Sequence, residues 1–172
     1  MTKSNLQKLE EQIEQIESGT RPKAKISLLG RGIRYLSMRE HSEAEIRKKL
    51  HPYAENEDDL NHVILQLKNK NFLSNERFSD SLIYKKANTL GNHRIAHELR
   101  KHDLDPEIIS KHLLNLKKSE SKRAYEVWLK KFGTLAKEPK DLAKQIRFMV
   151  SRGFDQELVY RIVRGKTLED SN

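Results

Sequence analysis

The chain has no cysteine in 172 residues, which excludes a disulfide scaffold and a thiolate metal site and fits a reducing compartment. Glycine is sparse, Gly91, Gly133 and Gly153 stand isolated, and there is no P-loop, no GxGxxG turn and no GxSxG nucleophile elbow. No apolar stretch approaches the roughly 20 residues that span a bilayer. Met1-Thr2-Lys3-Ser4-Asn5 leads into no apolar leader, and the expected location is the cytoplasm. Hydrophobic residues, at 35%, only match the 34% that are charged, too little apolar material for one large core. Several slender helical layers suit that balance better. No strand pattern is visible.

Charge is what the chain has in excess. The net charge is +9, and the surplus is local: residues 117–152 carry eleven Lys/Arg against four acids. A field of that kind favours a polyanion or an acidic protein surface, whereas evenly solvated lysine-rich helices would spread it.

A phrase of helical punctuation recurs. Leu104-Asp105-Pro106-Glu107-Ile108-Ile109 is echoed 50 positions on by Phe154-Asp155-Gln156-Glu157-Leu158-Val159. In both, Asp can cap a helix, an acid follows at the second helical position, and the apolar residue before the Asp can staple against the fourth. Leu73, Ser74 and Phe78 give a related phrase earlier. Ser42-Glu43-Ala44-Glu45 reads as a capping box, followed by the apolar pair Ile46 and Leu50; Ile95 and Leu99 repeat that pair 49 positions on, behind Gly91.

These signals divide the chain into a polar arm at 1–25, repeats at 26–72, 73–117 and 118–165, and a tail at 166–172. Each repeat holds three short helices. The first has Ile26, Leu29, Ile33 and Leu36 on one face, then the Ser42 helix, then a helix opened by Asp58 and Asp59. The third has Ala124, Val127, Trp128 and Phe132, then Leu142, Ile146, Met149 and Val150, then the Asp155 helix. A three-helix unit alone buries too little to stand unaided, so stacking of neighbours should stabilise the array. The fold class expected is all-α.

Candidate chemistry is thin. His93 and His97 are four apart on a helix, but Arg94, Ile95 and Ala96 lie between them and no third ligand or catalytic acid accompanies them, so no metal is expected. The paired acids Glu43/Glu45, Glu57/Asp58/Asp59 and Asp105/Glu107 fall at helix starts, where the macrodipole accounts for them. No catalytic residue, no cofactor and no membrane contact is expected, and the chain reads as a monomer and not as an enzyme.

The cationic helices remain, a set that runs through Lys117, Lys118, Lys122 and Arg123 into the third repeat. The residues expected to meet a partner or nucleic acid are Lys130, Lys131, Lys137, Lys140, Lys144, Arg147 and Arg152. Lys137, Lys140, Lys144 and Arg147 form one row at helical spacing. No recognition helix of the helix-turn-helix kind is evident, so phosphate contacts would be mainly non-specific and salt-sensitive.

Three phrases resemble the RecX family, the bacterial regulators of the RecA recombinase. Arg39-Glu40-His41-Ser42-Glu43-Ala44-Glu45-Ile46-Arg47-Lys48-Lys49-Leu50 is similar to its first-repeat signature, a Ser-initiated helix with E-[LI]-x-x-K-L. Gly91 to Leu99 resembles the second, G-x-x-R-I-x-x-E-L, and Ile146 to Phe154 the third, a helix ending in R-G-[FY]. The resemblance implies a curved, elongated array of three tandem three-helix repeats. It also implies binding along the groove of the RecA–single-stranded DNA filament, restraining its extension, ATP hydrolysis, strand exchange and coprotease activity. Of the motif residues, Ser42, Gly91 and Gly153 set helix ends, while Ile46, Leu50, Ile95, Leu99 and Phe154 are structural. Leu73-Ser74-Asn75-Glu76 departs from the acidic L-D-D turn of the family, and the arm has no counterpart in it. The rival expectation is a helical-repeat protein that binds DNA non-specifically and independently of RecA.

Overall fold

In the computed structural model, residues 26–165 are described. The polar arm and the tail lie outside them. Among the described residues there are nine α-helices, one 3₁₀ turn and no strand.

Helices α1 (Leu28–Met38), α2 (Glu43–Leu50) and α3 (Glu57–Asn69) close around Ile46, Leu50, Leu60, Val63, Ile64, Leu67 and Leu73. All three pack on one another. Helices α4 (Asn75–Lys86), α5 (Asn92–Arg100) and α6 (Pro106–Lys117) enclose Phe78, Ile95, Leu99, Leu104, Ile109 and Leu116, with α5 against both neighbours. Helices α7 (Glu120–Lys131), α8 (Pro139–Ser151) and α9 (Gln156–Val163) hold Ala124, Trp128, Met149, Phe154, Leu158, Val159, Ile162 and Val163. Three separate cores in chain order make this an array of three-helix units.

The caps form where the residues dictate. Ser42 accepts from the Glu45 amide at 3.1 Å while the Glu45 carboxylate reaches back to the Ser42 amide at 3.4 Å, completing the box. Asp105 accepts from the Glu107 amide and Asp155 from the Leu158 amide. Leu104 and Ile109 share the second core, and Phe154 and Val159 the third, as the staple requires. In the earlier phrase the staple divides: Leu73 packs in the first core and Phe78 in the second.

Three local expectations change. Ile26 is outside the first helix and exposed, because the Ser27 hydroxyl caps the Gly30 amide and starts α1 at Leu28. Helix α3 starts at Glu57, one residue before Asp58, because Asn56 caps the Asp59 amide at 2.8 Å. Val150 is 40% exposed, one position past the buried Met149 and beyond the core-facing arc of α8.

The first and second units meet through part-buried side chains. Arg77 donates to Glu40 at 2.8 Å, Asn75 accepts from the Glu43 amide at 2.9 Å, and His102 approaches Glu45 at 3.8 Å.

The candidate partner-binding face and the joint that shapes it

The second and third units meet differently. The loop between α4 and α5 is fastened by the turn between α8 and α9: the Gly91 amide donates to the Arg152 carbonyl at 2.9 Å, and the His93 amide to the Gly153 carbonyl at 3.1 Å. Contact this close is main chain on main chain. A Cβ at Gly91 would stand 2.2 Å from the Gly153 oxygen, and one at Gly153 would stand 2.4 Å from the Arg94 nitrogen. Gly153 also has φ +83°, so it ends α8 as a glycine should. Gly91 has φ −80°, open to any residue; it is close approach, and not helix termination, that requires glycine there.

Helix α7 grips the same loop from its other side. Arg123 is 8% exposed and donates to the carbonyls of Ala87 at 2.9 Å and Leu90 at 2.8 Å, and to the Asn92 side chain. Buried Glu120 accepts from the Asn92 amide at 2.9 Å. Burial presses the Arg123 pKa downward, and the charge of Glu120 opposes that shift. Arg123 therefore leaves the set of surface cations. Its place in the pattern Glu120, Arg123, Ala124, Val127, Trp128 puts it on the inward arc of the helix.

Trp128 anchors the third unit. Its indole N–H donates to Gln145 at 2.8 Å, and the Gln145 amide donates to the Thr134 carbonyl at 3.1 Å. That chain holds α7, α8 and the loop between them in one arrangement.

On this frame Lys130, Lys131, Lys137, Lys140, Lys144 and Arg147 are exposed and Arg152 is half-buried. Lys130, Lys131 and Arg152 line a cleft of about 400 Å³ between the Asn88–Thr89 loop and α7–α8, with Val127 and Phe148 beneath and Glu126 as the one acid. Lys137 and Lys144 line a second cleft, of about 640 Å³, which also carries Glu138 and Asp141. Phe148 of the first cleft and Phe132 of the second touch edge to face, 5.2 Å between centroids. Lys140 and Arg147 line neither cleft. Lys117 faces a different recess, with Arg100 and Asp155.

Arg152 is held in place. Its guanidinium lies 4.4 Å from the Phe148 ring centre and donates to the Thr89 carbonyl at 3.2 Å. Among the described residues, no acid comes within ion-pair distance of any of these seven cations. The ion pairs lie in the first two units, from Arg39–Glu45 to His112–Asp80. Glu43 shows the contrast: burial opposes its ionisation, yet bonds from Lys68 and Arg47 hold its pKa below the usual value.

His93 and His97 are exposed on α5, and among the described residues no group of three His, Asp or Glu side chains is placed to hold a metal. No described helix is long and apolar enough to cross a membrane.

A family model for the third three-helix domain of RecX matches residues 119–163. Regulatory protein RecX of Ralstonia nicotianae is 40% identical over 144 residues, 84% of this chain and 91% of that protein. Its counterpart from Herminiimonas arsenicoxydans is 41% identical over 144 residues, 84% of this chain and 95% of that one. The crystal structure of RecX from Lactobacillus salivarius superimposes with a TM-score of 0.68 at 17% identity, covering 81% of this chain and 94% of that one. A second crystal structure of a regulatory protein RecX gives 0.66 at 21%, covering 80% and 71%. At those identities the two structures speak to the fold alone, and the fold is the same.

Proposed function

This chain belongs to the RecX family of regulatory proteins, and from that membership we propose that it regulates RecA, mainly as a negative modulator. It does so by laying its third unit along the RecA–single-stranded DNA filament, in the cytoplasm, without catalysis of its own. The observation that carries this reading is the local excess of cations in the third unit, where among the described residues none of the seven has an acid within ion-pair distance. Unpaired charge on one face raises the encounter rate with an anionic surface and fixes orientation more than it adds affinity. The filament offers such a surface in its DNA phosphates and in any acids lining its groove. Restraint of ATP hydrolysis, strand exchange and coprotease activity follows if a bound array resists the subunit movements those activities need.

The test is a titration of RecA filaments with the purified chain while ATP hydrolysis is followed. Loss of hydrolysis at substoichiometric protein is the expected result. Inhibition that merely tracks competition for free DNA would instead make this a DNA-binding protein indifferent to RecA. Reversing Lys140, Lys144 and Arg147 to Glu should raise the concentration for half-inhibition at least tenfold, with helical circular dichroism unchanged.

A further inference from the structure

The two clefts of the third unit are not equivalent. The second carries Lys137 and Lys144 against Glu138 and Asp141 and is balanced. The first sets Lys130, Lys131 and Arg152 against Glu126 alone. It is also the cleft that depends on the joint, since one wall belongs to the second unit and the other to the third.

We propose that this first cleft seats a single nucleic-acid strand, with a phosphate held by Lys130, Lys131 and Arg152 and a base lying on the Arg152–Phe148 stack. The inference rests on the reading of the cationic face as a filament contact and adds to it a ligand class and a strand preference.

Four observations converge. The cations are unpaired, so binding an anion breaks no internal ion pair. The walls are preformed: Arg123 fixes the carbonyls of Ala87 and Leu90 on either side of Asn88 and Thr89, and the Gly91–Arg152 bond fixes the wall opposite. A ligand therefore pays little ordering cost. The floor is aromatic as well as basic, because the Arg152 guanidinium lies over Phe148, Lys131 reaches the same ring at 5.8 Å, and Phe132 abuts it. Bases stack on guanidinium planes and aromatic rings alike, and cations interleaved with such platforms are how single strands are held without sequence readout. Finally, about 400 Å³ is room for a molecule of nucleotide size. A duplex keeps its bases stacked inside and offers only phosphates, so it uses half of what the cleft provides. An acidic peptide would satisfy the cations and leave the platform unused.

Anisotropy of labelled oligothymidine with the full chain, without RecA, tests this against a duplex of equal length. The single strand should bind at least tenfold tighter. Phe148→Leu keeps apolar volume and should weaken single-strand binding about tenfold while leaving duplex binding alone. Lys130→Gln with Lys131→Gln, both exposed, should lower the slope of log affinity against log salt by roughly one. Trp128 emission and circular dichroism check that each variant is folded; should Phe148→Leu misfold, the lysine pair and the strand comparison still decide. Equal affinity for strand and duplex, an unchanged salt slope, or displacement by polyglutamate as readily as by unlabelled oligothymidine would overturn the proposal. Because RecA is absent from this assay, failure here leaves filament regulation to be judged by ATP hydrolysis.

Discussion

The joint between the first and second units and the joint between the second and third connect similar three-helix bodies by different means. At the first, Arg77 and Glu40 meet at 2.8 Å with side chains 38% and 30% exposed, and Asn75 reaches the Glu43 amide. At the second, two glycines bring backbones into contact and a buried arginine satisfies the carbonyls of the loop between them. A half-buried ion pair of this kind contributes on the order of 1 kcal/mol and weakens with salt. The first joint therefore rests on side-chain contacts, and the second adds contact of main chain on main chain.

The most severe way to break that contrast is Arg123→Ala. It strands the Ala87 and Leu90 carbonyls and leaves Glu120 buried beside a lost charge, at a cost of about 3–5 kcal/mol. Chemical denaturation should show the loss, with hydrogen exchange of the 87–92 loop accelerated. Gly153→Ala comes next. Its methyl would press on Arg94 at a positive φ, and about 1–3 kcal/mol should be lost, read as a lower denaturation midpoint.

Acid should separate the two ends of the molecule. Burial lowers the pKa of His41, and bonds from Lys68, Arg47 and Arg39 outweigh burial to lower those of Glu43 and Glu45. A folded pKa below the unfolded one means stability that is full above the unfolded value and lost as pH falls through the folded value. The loss therefore begins below about 6.5 for the histidine and deepens below about 4.3 for the carboxylates. All three lie in the first unit. Helical circular dichroism should decline in acid before the emission of Trp128, in the third unit, responds. The mildest change is Glu40→Gln, worth under about 1 kcal/mol and vanishing at high salt, checked by denaturation at two ionic strengths.

What the sequence discloses is local. Ser42 with Glu45, and the aspartates at 105 and 155, lie within four residues of the groups they cap, so their pattern is enough to place them. Gly91 reads as a helix end because its real constraint, the Gly153 carbonyl, comes from another unit. Arg123 reads as surface charge when each cation is counted alike; its position on the inward arc with Ala124 and Trp128 is the signal that places it inside. The row Lys140, Lys144, Arg147 is legible by spacing. That Lys130 and Lys131 share a cleft with Arg152 depends on how α7 meets α8, which periodicity does not encode.

The clasp on the 87–92 loop also sets an order of events during synthesis. The first two cores draw on residues up to 116 and can condense as soon as those have left the ribosome. Until residues 120–153 follow, the carbonyls of Ala87 and Leu90 and the amide of Gly91 have only water to bond with. The cleft is thus a late feature of the array, since its walls need residues as far as Arg152, and a nascent chain cannot display it early.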